Sequence, residues 1–206
     1  MVRYTAPKNR IARKFGINLF SRAKNPLLHK QNPPGVHGGK RKKKSDYGVQ
    51  LEEKQKLKAS FGMMTERQLT NYYQKAARFH KNTAEIFLQM LEMRLDNIVY
   101  RLKFAATPFQ AQQLVAHGHI QVNGKKVDRR SFGVKAGMVI SVKEKSKKLK
   151  IIENAINLTS RTVPVYLELD GEKFTGKVLS LPALSEIILP MEINIPMVCD
   201  FLAHGA

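Results

Sequence analysis

Residues 120–127 of the chain read Ile-Gln-Val-Asn-Gly-Lys-Lys-Val, two short strand-like runs on either side of Asn123-Gly124. Asn-Gly at such a position favours a type I′ turn, because both residues tolerate a positive φ, and so predicts a β-hairpin. Gly137 precedes a further predicted strand over residues 138–142. The hairpin would carry its lysines along an exposed edge.

A capped helix is predicted directly before the hairpin. Residues 107–110 read Thr-Pro-Phe-Gln, and Gly118 follows the last apolar position. Threonine is a good N-cap, proline suits the first helical position, and glutamine in the third completes a capping box. Glycine is the usual residue just past a helix end. A helix followed by a hairpin predicts a small compact module.

Apolar spacing predicts three more helices upstream of this module. They cover about residues 47–61, 66–79 and 83–102. Thr65 and Asn82 each begin a capping-box pattern. The third helix is long enough to contain a kink or break near Glu92-Met93.

The chain beyond the module is predicted to hold one helix and one more hairpin. A lysine-rich run over 143–150 leads into a short helix over 151–158. Strict alternation of apolar residues over 163–169, followed by Asp170-Gly171, predicts the second hairpin. Prolines interrupt the rest, so we expect extended segments packed over other elements.

Positive charge is concentrated in the first three quarters of the chain. The 206 residues carry a formal net charge of +20, with +12 in residues 1–50, +12 in residues 51–150 and −4 in the remainder. Charge of one sign over so long a stretch repels itself unless a polyanion neutralises it. RNA is the partner that this pattern favours, since its binding releases condensed counterions.

Several other classes of protein are disfavoured. The single cysteine, Cys199, excludes an internal disulfide and a cysteine-rich zinc cluster. The N-terminus lacks the apolar core of a signal peptide, and no run is long enough to span a membrane. His117 and His119 flank Gly118 without carboxylates at ligand spacing, so no metal and no cofactor are predicted. No nucleotide-binding or metalloprotease motif is present, and an enzyme is not expected.

An α+β fold follows: a helical domain, a small helix-and-hairpin RNA-binding module, and a basic extended N-terminal arm. Proline and glycine interrupt the arm, which we expect to order on RNA. The predicted boundaries are 1–46 for the arm, 47–92 for the helical domain, completed by about 180–206, and 93–180 for the module with its following hairpin.

The RNA contacts are predicted from cations and amides on these elements, since arginine binds phosphate bidentately and lysine supplies a point charge. Arg94 and Arg101, seven residues apart, would share one helix face, although an ion pair with Asp96 is the alternative for Arg94. The predicted RNA-binding residues are Arg3, Lys8, Arg10, Arg13, His37, Lys40, Arg41, Lys42, Lys43, Lys44, Tyr47, Lys54, Lys56, Arg67, Arg94, Arg101, Gln112, Gln113, His117, Asn123, Lys125, Lys126, Arg129 and Arg130.

Three stretches resemble a known family, that of ribosomal small-subunit protein four in its bacterial, zinc-free form. Residues 45–56 read Ser-Asp-Tyr-Gly-Val-Gln-Leu-Glu-Glu-Lys-Gln-Lys, which is similar to the family's most specific motif. Residues 34–38, Pro-Gly-Val-His-Gly, and residues 94–101, Arg-Leu-Asp-Asn-Ile-Val-Tyr-Arg, match it too. The resemblance extends over nearly the whole chain.

The resemblance implies a structural protein that binds small-subunit (16S-type) rRNA directly at a multi-helix junction and nucleates assembly of the subunit body. It also implies a contribution to decoding accuracy, contacts with neighbouring proteins, especially protein five, and proximity to mRNA where it enters the ribosome. Neither a membrane nor a homo-oligomer is expected. The location would be the cytoplasm, in the ribosome, with an organelle ribosome as the alternative.

The sequence departs from the family at three places. The arm has none of the cysteines that hold zinc in some relatives. Lys103 stands where the family usually has glycine, and residues 201–206 differ from its usual ending. Two rival classes share the small module: an RNA-modifying enzyme, for which no residues remain to form a catalytic domain, and a stalled-ribosome binder, which lacks the 47–56 run.

Overall fold

The computed structural model describes residues 4–20, 25–40, 43–79, 81–158 and 161–204. The chain divides into two units, Met1–Phe87 with Leu189–Ala206, and Leu88–Ile188. Helices and a five-stranded antiparallel sheet confirm the predicted α+β class. Each unit is described by itself below.

The N-terminal segment of the first unit is not extended throughout, as the sequence had suggested. It contains helix α1 (Lys8–Phe15) and a 3-10 turn (Pro26–Leu28). Gly16, at φ +69°, ends α1, and Ile17 N donates to Ala12 O at 3.1 Å. Ala12, together with Leu19 and Phe20 just beyond the helix, is buried. The basic segment therefore contains buried apolar residues that its scattered apolar pairs did not predict.

Helices α2 (Asp46–Ser60) and α3 (Glu66–Ala76) lie close to their predicted positions. The Ser45 hydroxyl caps α2 by accepting from Gly48 N at 3.2 Å. The Thr65 hydroxyl accepts from Gln68 N at 3.4 Å, as the capping-box pattern predicted for α3. The backbone after Ser60 turns at Gly62, which adopts a φ of +69°.

The third predicted helix is broken where the sequence indicated. Helix α4 (Thr83–Glu92) ends at the expected point, and helix α5 (Leu95–Arg101) begins three residues later. Arg94 between them is extended, at φ −73° and ψ 139°, and forms an isolated bridge with Gly133. The break therefore lets a later loop pair with the chain between the two helices.

The C-terminal segment corrects the expectation of extended structure, because it forms a 3-10 turn (Leu184–Glu186) and helix α9 (Ile195–His204). Asn194 Oδ1 accepts from Met197 N at 3.0 Å and caps α9. Pro196 lies in the first turn, where a helix tolerates proline. Helix α9 packs against α2, and Asn194 N donates to Glu53 Oε2 at 2.8 Å.

The second unit is built on a sheet of five strands: β1 (Ile120–Val122), β2 (Lys125–Lys126), β3 (Val139–Val142), β4 (Leu167–Asp170) and β5 (Thr175–Val178). Their order in the sheet is β2-β1-β3-β5-β4, with every pair antiparallel. The predicted first hairpin is confirmed: Asn123 and Gly124 have φ of 48° and 76° between β1 and β2, and Val122 pairs with Lys125.

The helices that accompany this sheet are α5, α6 (Pro108–Ala116), α7 (Glu144–Lys147) and α8 (Lys150–Leu158). Buried side chains of α5, α6 and α8 share one hydrophobic core with the strands. The second hairpin is shorter than predicted, since β4 begins at Leu167, and Asp170 pairs with Thr175 across a four-residue connection. Asp170 Oδ1 accepts from Lys173 N at 3.1 Å, which closes a wider turn than the expected tight one.

A buried polar network ties three segments of the second unit together. Glu92, 0% exposed, accepts from Arg101 Nε at 2.6 Å and from the Tyr166 hydroxyl at 2.6 Å. Arg101 Nη2 also donates to Ile188 O at 2.7 Å. Burial alone lowers the pKa of Arg101, but the Glu92 carboxylate outweighs it and raises that pKa. Burial, followed by the Glu92 charge, raises the pKa of Tyr166. Arg101 and Tyr166 therefore keep the protonated forms that these hydrogen bonds require at neutral pH.

Lys103 adopts the left-handed conformation that favours glycine, with a φ of +62°. Phe104 N donates to Val99 O at 3.2 Å, so the chain closes the end of α5 in the manner of a glycine-terminated helix. The departure from the family pattern at this position therefore leaves the turn intact. It places a lysine where the backbone is strained.

Replacing Glu92 with alanine should destabilise the second unit strongly. The change leaves a largely buried guanidinium and a buried phenol without their shared acceptor, so we expect the free energy of unfolding to fall by about 3–5 kcal/mol. Tyr166→Phe removes one hydrogen bond to the carboxylate and should cost about 1.5–3 kcal/mol. Urea denaturation measures both. A loss below about 1 kcal/mol for Glu92→Ala, the value of an exposed ion pair, would contradict a buried role.

Replacing Lys103 with glycine should stabilise the chain by about 1 kcal/mol, because glycine adopts a positive φ without the clash that an L side chain suffers. Lys103→Ala is the matched control, since it removes the same charge and keeps the strain. The urea midpoints of both variants give the comparison. Equal midpoints for the glycine and alanine variants would show that this turn is not strained.

Candidate nucleic-acid interface

Helix α6 presents a row of polar side chains. The Thr107 hydroxyl accepts from Gln110 N at 3.2 Å, and Gln110 Oε1 accepts from Ala106 N at 2.9 Å, so the start of the helix is firmly capped. Gln113 and His117, four residues apart on the helix, are both exposed. The predicted amide and imidazole groups therefore lie on one accessible side of α6.

The hairpin crosses the end of this helix at Gly118. The Lys126 side chain passes over Gly118, where an added Cβ atom would lie 2.3 Å from Lys126 Cε in its present position. Gly118 also has a φ of +72°, which glycine adopts without strain. Lys125 and Lys126 are both exposed on the edge strand β2. Lys126 therefore lies over the end of α6, at the residue that follows His117.

Asn123, predicted to contact RNA, is used in the turn itself. Its backbone N donates to Val139 O at 2.8 Å, and its Oδ1 accepts from Val139 N at 2.8 Å. The residue thus attaches the hairpin to β3. Its main contribution to the surface is to hold the neighbouring lysines in place.

Arg129 and Arg130 lie on a loop that the start of α5 holds. Leu95 N donates to Phe132 O at 2.9 Å, and Asp96 N donates to Arg130 O at 3.2 Å. Arg130 Nη1 donates to Gln112 Oε1 at 3.2 Å, which links the loop to the middle of α6. Arg129 is exposed. The α6–hairpin surface, as we name it, comprises Gln112, Gln113, His117, Lys125, Lys126, Arg129 and Arg130.

Arg94 does not belong to this surface, and its predicted place on one helix face with Arg101 is wrong. Arg94 precedes α5 in an extended conformation and is 3% exposed. Its Nε and Nη2 donate to Asp96 Oδ1 and Oδ2 at 3.0 and 2.7 Å, which is the ion pair considered as the alternative. A buried bidentate pair of this kind cannot release its guanidinium without leaving a charge uncompensated.

The side chains of Arg101 and Lys54 are also engaged in contacts within the protein. Arg101 serves the Glu92 network, and Lys54 pairs with Glu66 at 2.6 Å while its ammonium lies 4.4 Å from the centroid of the Phe201 ring. Lys54 itself is buried. We therefore leave Arg94, Arg101 and Lys54 out of the interface.

The remaining predicted residues of the first unit are spread over α1, the loop before α2, and α2 and α3. Lys44 forms an ion pair with Glu52, Lys56 pairs with Glu53 at 2.5 Å, and Tyr47 is 63% exposed. Six others are exposed or half-buried: Lys8, Arg10, His37, Lys40, Lys43 and Arg67. Arg3, Arg41 and Lys42 lie outside the described residues.

Arg13 has a structural contact that the sequence did not predict. Its Nε and Nη2 donate to Asn32 O at 3.0 and 2.8 Å, which ties α1 to the following loop. This loop and Arg13 line a cavity of about 510 Å³ together with His29 and Lys30. Arg13 therefore contributes to the structure of the basic segment as well as to its positive charge.

The His117–His119 pair gives no indication of a metal site. Its rings lie 6.0 Å apart, and His119 Nδ1 lies 2.9 Å from the Ser146 hydroxyl. Burial, followed by the nearby His117 and Lys143, lowers the pKa of His119. Across the described parts of the chain, no group of three or more His, Cys, Asp or Glu residues could hold a metal ion. Nor does any helix among these residues have the length and apolar character to cross a membrane.

Comparison with known proteins accounts for most of the chain. Residues 3–92 match the family described as the ribosomal protein S4/S9 N-terminal domain, and residues 93–140 match the S4 domain. Small ribosomal subunit protein uS4 of Protochlamydia amoebophila is 64% identical over 205 residues, covering 100% of both chains. The proteins of the same name from Chlamydia trachomatis serovar D and Chlamydia pneumoniae are 56% and 54% identical, each over 99% of both chains.

These relatives are ribosomal proteins and not enzymes, which confirms that no enzymatic activity is to be expected. The matches span both units and include the motif at residues 45–56 that carried the resemblance. With identities above one half along the entire length, the chain belongs to the uS4 family of small ribosomal subunit proteins.

Proposed function

We propose that the chain binds small-subunit rRNA directly at a junction of several helices and nucleates assembly of the subunit body there. One observation carries the proposal: the exposed cations of the α6–hairpin surface are held on rigid elements. Lys125 and Lys126 lie on β2, which pairs with β1, and the Arg130 loop is held by backbone hydrogen bonds from α5 and by Gln112. Cations on an ordered backbone bind phosphates without the cost of ordering a loop.

The composition of this surface favours recognition of RNA shape over base sequence. It combines four cations with two glutamines and one histidine, and it lacks an exposed aromatic platform. Double-stranded RNA is recognised mainly through its backbone and 2′-hydroxyl groups, which such side chains suit. A junction where several RNA helices converge concentrates phosphates, and neutralising them lowers the cost of bringing the helices together.

The finer roles rest on the family resemblance. They are contact with protein five and with mRNA where it enters the ribosome, a contribution to decoding accuracy, and a location in cytoplasmic ribosomes. Cross-linking of the chain within assembled subunits would identify the neighbouring protein. Reconstitution of subunits with and without the chain would test assembly, and a misreading assay on those subunits would test accuracy.

The first test is binding of the purified chain to the five-helix junction of small-subunit rRNA, against an unrelated structured RNA of equal length, over a range of salt. We expect selective binding to the junction that persists near physiological salt. Equal affinity for both RNAs, lost together as salt rises, would overturn the proposed site of action.

The double variant Arg129→Ala/Arg130→Ala should weaken binding and reduce the slope of log K against log salt by about two, one for each lost phosphate contact. Lys173→Ala/Lys177→Ala is the matched control, since it also removes two cations from the same unit, both of them exposed, but from the turn and strand of the second hairpin. We expect the control to keep the wild-type slope. Equal changes in both variants would mean that only total charge matters.

A further inference from the structure

The lysine run at residues 143–150 is an ordered part of the second unit. Lys143 N donates to His119 O at 2.9 Å, and the Ser146 hydroxyl lies 2.9 Å from His119 Nδ1. Ser146 is 5% exposed, and Ile152, just beyond the run, is fully buried in the core. Helix α7 is therefore anchored at both ends and in its middle.

This anchoring directs the lysines outward. Because Ser146 faces the interior, Lys145, Lys148 and Lys150 are exposed, and Lys143 and Lys147 are half-buried. Glu144 is the acid within the run, and its carboxylate pairs with Lys147 at 2.6 Å. The next acid along the chain is the exposed Glu153 on α8. Residues 143–150 keep a net charge of +4.

The run contacts the segment that follows α6. His119, which contacts Ser146 and whose backbone O accepts from Lys143 N, lies two residues after His117 at the end of α6, where Lys126 passes over Gly118. Arg130 contacts Gln112, which precedes Gly118 by six residues, a rise of about 9 Å along a helix. The arginine loop and α7 are thus attached at different points of the chain that forms and follows α6.

We propose that α7 and its flanking lysines are a second RNA contact, which binds the phosphate backbone of a double-stranded segment distinct from the one that Arg129 and Arg130 bind. The inference rests on the proposed function and extends it, since the matched S4 domain ends at residue 140. The run contains five lysines and no aromatic or amide side chain, so it suits phosphates and not base edges. Two contacts on one rigid unit would fix the angle between two RNA helices.

The test compares Lys145→Ala/Lys148→Ala with Arg129→Ala/Arg130→Ala and with the Lys173→Ala/Lys177→Ala control, all in the full chain. We expect the α7 variant to bind junction RNA several-fold more weakly and to lower the salt slope by about two. Hydroxyl-radical footprinting should show that it loses protection of one RNA segment, while the arginine variant loses protection of another. Both lysines are exposed, so the unfolding midpoint should not change.

Each outcome decides a separate point. An α7 variant with wild-type slope and footprint would overturn the second contact and leave the proposed function standing. Loss of the same RNA segment in both variants would reduce the two contacts to one. If the wild-type chain shows no preference for the junction, the proposed function fails. In that case, a salt slope of the α7 variant that is lower than the control's on either RNA would still support the second contact, and equal slopes would overturn it. Lys145→Gln/Lys148→Gln should behave like the alanine variant if charge alone is responsible.

Discussion

The buried carboxylate of Glu92 is the constraint on which the second unit depends. A charge without solvent must find partners, and Glu92 finds them at the end of α5, in Arg101, and at the residue before β4, in Tyr166. Arg101 extends the network to the carbonyl of Ile188. The network around the single carboxylate of Glu92 thus links segments that are nearly a hundred residues apart in the sequence. Removing any one partner would leave a buried polar or charged group uncompensated, so the network depends on all of its members.

The same pattern of internal pairing explains how so basic a chain folds. Arg94 and Asp96 neutralise each other inside the second unit, as Arg101 and Glu92 do. These pairs contribute no net charge, so the excess of positive charge lies on exposed side chains. Backbone contacts from the start of α5 then hold the Arg129–Arg130 loop. The buried arginines support the surface that the exposed arginines form.

Local signals in the sequence predicted much of this architecture. Asn123-Gly124 and the residues 107–110 specify a turn and a helix start by their own chemistry, and both formed as predicted. Helix α9 was missed because Pro196 and its neighbours look like an extended segment, and its apolar side is buried by packing against α2 and α3. Helices so distant in the sequence cannot be identified as packing partners from the spacing of apolar residues.

For the candidate surface too, local features could be predicted from the sequence, whereas features that depend on distant contacts could not. Exposed lysines on the hairpin followed from its turn, but the burial of Arg94 depends on a break between α4 and α5 that also admits a later loop. Charge alone could not separate the arginines that face solvent from those that face the core. The lysines of α7 were visible as a run, yet their orientation required the contact between His119 and Ser146.

The first unit is built from two parts of the chain, one that precedes the second unit in the sequence and one that follows it. Helix α2 packs against α9, and residues 88–188 lie between these helices in the sequence. On the ribosome that makes it, the second unit is therefore complete in sequence before α9 has been synthesised. Helix α2 is therefore synthesised well before the helix against which it packs. The unit that carries the α6–hairpin surface can fold as the nascent chain emerges, and the helical unit closes last.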